Sequence, residues 1–321
     1  MTTYYETKGQ KIQVLATDPS ETIEGQVWYN STSNTLKVYK NFTDAWSTGG
    51  NLGTARDGLG GAGTQTAGLG FGPNSGLTEE YDGSVWTAGG NLAVGRSNPA
   101  GAGTQTSALS FGGYPFANSA STEEYDGSSW TAGGNLAVGR SLLAGCGTQT
   151  AALGFGGFRY PTTPLPFPQN AATEEYDGTS WTTGGNLATG RERLAGCGTQ
   201  TVGLAFGGEG PPISAATEEY DGSAWTTGGN LGTARSSLAG AGTQTAGLAF
   251  GGNLPPETAA TEKYDGTSWT TTGSLNIARN SLAGAGTQTA GLAFGGTPPN
   301  TAATEEYNAG PLIAAGTITQ S

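Results

Sequence analysis

Apolar and polar positions alternate in short runs along most of this chain, and the runs recur. In the copy that opens at Arg235, LAGAGTQ is a stretch of small residues, TAGLAFGG alternates, ATEKY follows, and SWTTTG ends the unit. Ala246, Leu248 and Phe250 fall on one side, Gly247 and Ala249 on the other, the period of two that a β-strand imposes. Asp265-Gly266 separates the last two runs and predicts a tight hairpin suited to type I′ geometry. Each unit thus predicts four antiparallel strands, with the Gly/Ala strand innermost, where crowding favours small side chains.

The unit is written six times. Arg56, Arg96, Arg140, Arg191, Arg235 and Arg279 open the copies, and Trp46, Trp86, Trp130, Trp181, Trp225 and Trp269 recur at gaps of 40, 44, 51, 44 and 44 residues. Short strands repeated at this period are the mark of a radial all-β architecture. The expected fold is all-β: a six-bladed β-propeller with four antiparallel strands per blade. The last unit reaches a third strand at residues 304–307 without a Trp strand, and Trp46 has no inner strands before it, so together they make one closing blade. Residues 1–40 are expected to be an N-terminal arm and β-hairpin for attachment or oligomerisation, and residues 41–321 the propeller. The hairpin pairs residues 26–29 with 35–39 around a turn cluster at 30–34. Residues 36–39 compete with Trp46 for the place beside 304–307, and the expectation is that they lose it and pack outside.

Composition sharpens this picture. Glycine numbers 58, charge is only 12% and the net charge is -12. Sixteen of the 25 acidic residues occupy the repeated Glu-Glu-Tyr-Asp positions, which predicts a solvated acidic rim. Such a surface argues against nucleic acid as a partner, since phosphates need clustered Lys and Arg. Cys146 and Cys197 share a slot held by Ala62, Ala102, Ala241 and Ala285 elsewhere, so both read as small buried residues. Equivalent slots on adjacent blades are too far apart for a disulfide, which needs Cα atoms within about 7 Å. The N-terminus shows no signal-peptide core, and no apolar run is long enough to span a membrane, so no membrane insertion is expected.

The Phe-Gly-Gly doublet, the later Tyr, the Trp five residues beyond it (Tyr220 to Trp225) and the Arg before the next unit resemble kelch repeats over about residues 46–307. In the first unit Gly72 is followed by Pro73, and the Tyr-to-Trp spacing is tight for that family. The wording GTQTAGLAFGG with TEEYDGTSWTTGGNL looks like kelch-type proteins of tailed, including marine, bacteriophages. EGQVWYNSTSNTLKVY similarly resembles a module of phage tail-fibre and other virion proteins.

The chain contains no histidine, which removes imidazole bases, Ser-His-Asp triads and nearly all zinc or copper sites. The copper oxidase of the kelch family needs histidine ligands and is excluded. A sialidase-type, glycan-active propeller would use tyrosine, arginines and a carboxylic acid, and Asp177-Gly178-Thr179-Ser180-Trp181 is one residue short of its Asp-box. An arginine repeated once per unit reads as scaffold, pairing with a repeated Glu or a carbonyl. The Gly-rich runs lack the lysine and helix of a phosphate loop. Repeated carboxylates would suit calcium, but they read as solvated, and no catalytic residue, cofactor or metal is expected.

What varies between units carries more information than what repeats. The inserts PNSGL, YPFANSAS, FRYPTTPLPFPQNAA, EGPPISAA, NLPPETAA and TPPNTAA all fall on one face, together with the links between units. Variable loops on a rigid scaffold commonly carry binding. Tyr114, Phe116, Phe158, Arg159, Tyr160 and Phe167 are residue types enriched at interaction hot spots, and they are the candidate ligand contacts. The competing reading is that they cover the axial opening. The expected role is a non-enzymatic virion structural protein, a tail-fibre, receptor-binding or decoration component. Its expected partners are other virion proteins through the N-terminal segment, a host-surface glycan or protein, and a possible homo-oligomeric copy. The alternatives are an intracellular kelch adaptor and, less favoured, the sialidase-type enzyme.

Overall fold

A computed structural model describes residues 3–7, 10–19, 26–40, 44–73, 76–114, 119–159, 170–210, 212–310 and 312–316. The described residues form strands, turns and connecting segments, and no helix. The chain divides into two units, Met1–Ala45 with Ala309–Ser321, and Trp46–Asn308.

In the larger unit the described residues form six four-stranded antiparallel sheets. The Arg235 copy runs Ala239–Thr243, Ala246–Phe250, Thr261–Tyr264 and Trp269–Thr272 in that order. Ala239 pairs with Phe250, Phe250 with Thr261, and Tyr264 with Trp269. In the Arg279 copy the fourth strand is Ala45–Thr48, which lies beside Thr304–Asn308. The inner strands are Gly- and Ala-rich because successive ones press together: a Cβ on Gly61 would come within 2.8 Å of the Gly284 carbonyl.

Neighbouring copies are joined by aromatic side chains. Each repeat Trp is at most 9% exposed and sits between its own Tyr and the Phe of the preceding copy. Trp225 lies 4.9 Å from both Tyr220 and Phe155. Its indole N–H donates to Thr173 of that copy at 2.9 Å. A buried indole needs such an acceptor, and the repeat supplies it with the Thr that opens each third strand. The inner-strand Cys146 and Cys197 are free and buried.

Two expectations for the repeat need correction. The carboxylates are not a solvated rim. The first Glu of each pair is buried against the arginine of its own copy, as in Arg56–Glu79 at 2.8 Å and Arg235–Glu262 at 3.0 Å. The second turns to the opposite face and accepts the phenol of the following copy, as Glu175 does from Tyr220. Strand alternation sends adjacent acids to different partners, and only the Asp of the corner stays exposed. The corner itself is a four-residue loop, not a type I′ turn. Tyr81 pairs with Trp86, and Asp82 Oδ1 accepts the N–H groups of Ser84 and Val85, each at 2.8 Å. Type I′ needs positive φ at both central residues; here Gly83 has it, at 91°, and Asp82 does not.

The smaller unit is one five-stranded sheet in the order Thr3–Thr7, Gln10–Leu15, Val27–Asn30, Thr35–Lys40 and Leu312–Gly316. The expected arm therefore contributes two strands, the second pairing in parallel with Val27–Asn30. The hairpin forms, with Asn30 opposite Thr35. Its second strand takes Leu312–Gly316 as a partner, so this C-terminal stretch joins the small sheet and not the repeats. Asp18 ties the sheet down: its carboxylate accepts from the Trp28 indole at 3.1 Å, Asn30 at 2.8 Å and Lys37 at 2.7 Å.

Candidate functional site

The variable inserts grow from a backbone frame that is the same in five copies. The first residue of each insert exchanges two hydrogen bonds with a residue of the link behind it. Ser97 and Tyr114 do so at 3.2 and 2.9 Å, and Ser141 and Phe158 at 3.0 and 2.7 Å. Glu192 with Glu209, Ser236 with Asn253 and Asn280 with Thr297 repeat the clamp. Where the chain returns, its N–H donates to the second glycine of the doublet: Ser119 to Gly113, Asn170 to Gly157, Ser214 to Gly208 and Thr258 to Gly252, each at 2.9 Å. Each insert thus leaves and re-enters at one point.

The doublet exists for this geometry. Gly112 and Gly113 have φ of 69° and 97°, which L side chains rarely adopt, and a Cβ on Gly112 would lie 2.7 Å from the Arg140 carbonyl. In the Arg56 copy Pro73 stands where the others hold the second glycine and has no N–H to give the next arginine's carbonyl, as Gly113 gives Arg140 at 3.0 Å; the clamp position of that copy lies outside the described residues.

The link of every copy also holds one residue with left-handed backbone: Gly58, Asn98, Leu142, Arg193, Ser237 and Ser281, with φ between 53° and 63°. Their main chains bond to one another in sequence. Asn98 N–H donates to Gly58, Leu142 to Asn98, Arg193 to Leu142, Ser237 to Arg193, Ser281 to Ser237, and Gly58 back to Ser281, over 2.8 to 3.3 Å. These six residues, each with the residue after it, line a cavity of about 100 Å³. Sequence reading missed this ring. Its one signal was a glycine at residue 58 where three of the other five copies hold Asn or Ser, residues common in turns.

The ring breaks its symmetry in charge at one place. Arg193 pairs with Glu209 at 3.2 Å, both partly exposed. Burial pushes the neighbouring Glu192 carboxyl above its ordinary range; Arg193 pulls it back and Glu209 pushes it further.

Of the residues singled out from sequence, Tyr114 is exposed, Phe158 half-buried and Arg159 exposed. Tyr114 and Phe158 are clamped to successive links, which the Leu142-to-Asn98 bond joins. Phe116, Tyr160 and Phe167 lie outside the described residues. Among the described residues no group of three or more His, Cys, Asp or Glu side chains is placed to hold a metal. In comparisons with protein-family models and with curated proteins the chain matches none.

Proposed function

We propose that the repeats close as a single six-bladed propeller of kelch type, and that the protein is a non-enzymatic virion component of a tailed phage that displays this scaffold for binding. The hydrogen-bond circuit that leaves Gly58 and returns to it through Ser281 supports closure. The likeness of residues 24–39 to tail-fibre modules supports attachment to other virion proteins through the N-terminal segment. A host-surface glycan or protein, or a particle protein, is the partner of the insert face.

One observation carries the binding reading: in five copies the inserts are pinned identically at both ends while their sequences differ. A frame kept constant around changing loops is how a scaffold presents contacts. The test exchanges residues 159–169 for the short Pro-Asn-Ser-Gly of the first insert and keeps Phe158 and Asn170, which hold the clamp. Loop length costs little entropy, so the variant is expected to fold. Adsorption to host cells, or capture of the particle partner, should fall at least about tenfold, or about 1.4 kcal/mol. Undiminished binding by the folded variant would remove this face from the proposal.

A further inference from the structure

Among the described residues five of the six joints between copies are wired alike, and the sixth is not. At the five, the phenol of one copy donates to the second Glu of the copy before, as Tyr125 does to Glu80 at 2.5 Å and Tyr264 to Glu219 at 2.6 Å. The exception lies between the Arg235 and Arg279 copies. Lys263 stands there in the place of the Glu, and an ammonium cannot accept a phenol proton. The Tyr307 hydroxyl shares a hydrogen bond with Thr272 Oγ1 at 2.8 Å. Thr272 is the second departure, since the other copies hold glycine at that place. The two changes depend on each other. A Cβ on the matching Gly228 would come within 2.7 Å of the Tyr264 hydroxyl and 3.1 Å of Glu219, so a side chain fits there once the carboxylate has gone. Thr272 also adds a rung to its sheet, opposite Thr261, whereas the Arg191 copy stops at Thr227 opposite Glu218.

A third departure reaches across the same joint. Asn276 takes the place of Gly53, Ala93, Ala137, Ala188 and Gly232, and its side-chain amide donates to the Trp46 carbonyl at 3.2 Å. None of its counterparts has a side-chain polar atom to offer. Trp46 belongs to the one fourth strand that no corner joins to its third strand: Ser47 Oγ donates to the Glu306 carbonyl at 3.3 Å across 259 residues. Elsewhere the third strand runs into the fourth through a short corner, as Thr78–Tyr81 does into Trp86–Ala88, and a long loop costs more entropy to close. The contacts of Trp46 with Thr261, Phe250 and Tyr307 recur at every joint and do not offset that difference. We propose that Thr272 and Asn276, with Lys263 making room for the first, form a latch for the strand Ala45–Thr48. Thr272 fixes the tyrosine on which Trp46 packs, Asn276 holds the Trp46 backbone, and together they set how readily this strand leaves its sheet. The latch acts on the chain's own strand and is independent of what the insert face binds.

Hydrogen–deuterium exchange of the full chain reads the opening of each strand separately. Asn276→Ala, at an exposed position, should speed exchange over Ala45–Thr48 at least about threefold, toward the low end of what one hydrogen bond contributes. The equivalent strand Trp225–Thr227 should not change. Asn276→Asp, which keeps the shape and cannot donate, should act in the same way. Thr272→Gly and Lys263→Glu should each speed exchange over Ala45–Thr48, whereas the two combined recreate the wiring of the other joints and should bring it back to within about twofold of the parent. Exchange over Ala45–Thr48 unchanged in Asn276→Ala, equal acceleration in all six fourth strands, or additive effects of the Thr272 and Lys263 changes would each overturn the latch.

Discussion

The indole N–H of Trp86 donates to the Thr304 hydroxyl at 2.9 Å, across a chain separation of 218 residues. The same side chain lies 4.8 Å from Phe294 and 5.0 Å from Tyr81. The first and last copies are therefore held by the contact that joins every other pair. Trp86→Ala removes two ring contacts and a hydrogen bond, and should cost about 3–5 kcal/mol in denaturant unfolding. Thr304→Val keeps the shape and loses only the acceptor, about 1 kcal/mol. Equal losses from the two variants would mean that ring packing contributes little.

The buried pair Arg235–Glu262 makes a sharper test. Glu262→Leu strands a guanidinium that is fully buried, and should cost about 3–5 kcal/mol. Arg235→Met combined with Glu262→Leu replaces both charges with apolar volume and should recover most of that loss. A double variant as unstable as the single one would show that the carbonyl bonds of Arg235 matter more than its charge partner.

Ser237 holds φ of 53°, a conformation that costs an L-residue about 1–2 kcal/mol. Its N–H and carbonyl both serve the ring and survive substitution. Ser237→Gly should therefore stabilise by about 0.5–1 kcal/mol, after the greater entropy glycine loses on folding. Ser237→Val should destabilise by about 1–2 kcal/mol. The denaturation midpoints of the two variants should lie on opposite sides of the parent.

Alkaline pH attacks another set of joints. Tyr81, Tyr125, Tyr176, Tyr220 and Tyr264 are pushed from 10.0 up to about 12, first by burial and then by hydrogen bonds to Glu306, Glu80, Glu124, Glu175 and Glu219. A pKa raised on folding means that the folded chain keeps the proton longer. The stabilisation is complete below pH 10 and is lost as pH rises from 10 toward 12. Tyrosinate absorbance and loss of tertiary signal should appear together in that window, earlier in Glu80→Gln. Five tyrosines titrating at 10 in the native state would contradict the contacts.

The repeated four-stranded sheet was legible because two signals agreed: the alternation through Leu248 and Phe250, and the return of Trp at fixed distance. The fate of Glu79 and Glu80 was not. Sequence shows two adjacent acids; only the twist and packing of neighbouring copies put Arg56 behind one and Tyr125 before the other. Thr3–Thr7 and Gln10–Leu15 escaped notice because a strand without the repeat has only weak propensity to mark it. The left-handed ring escaped for a different reason. Leu142 and Arg193 are residues that no local rule sends to positive φ, and tertiary bonds alone hold them there. Of the candidate site, the positions of the inserts could be read, but not the clamps that frame them.

Those clamps give the molecule a property of a socket. An insert that begins and ends on the same glycine imposes no length on the sheet beneath it, so seven residues or fifteen make the same join. Segments cut at Gly113 and Ser119, or at Gly157 and Asn170, are interchangeable cassettes: recombination between copies can move a contact loop from one position to another with every strand register left as it was.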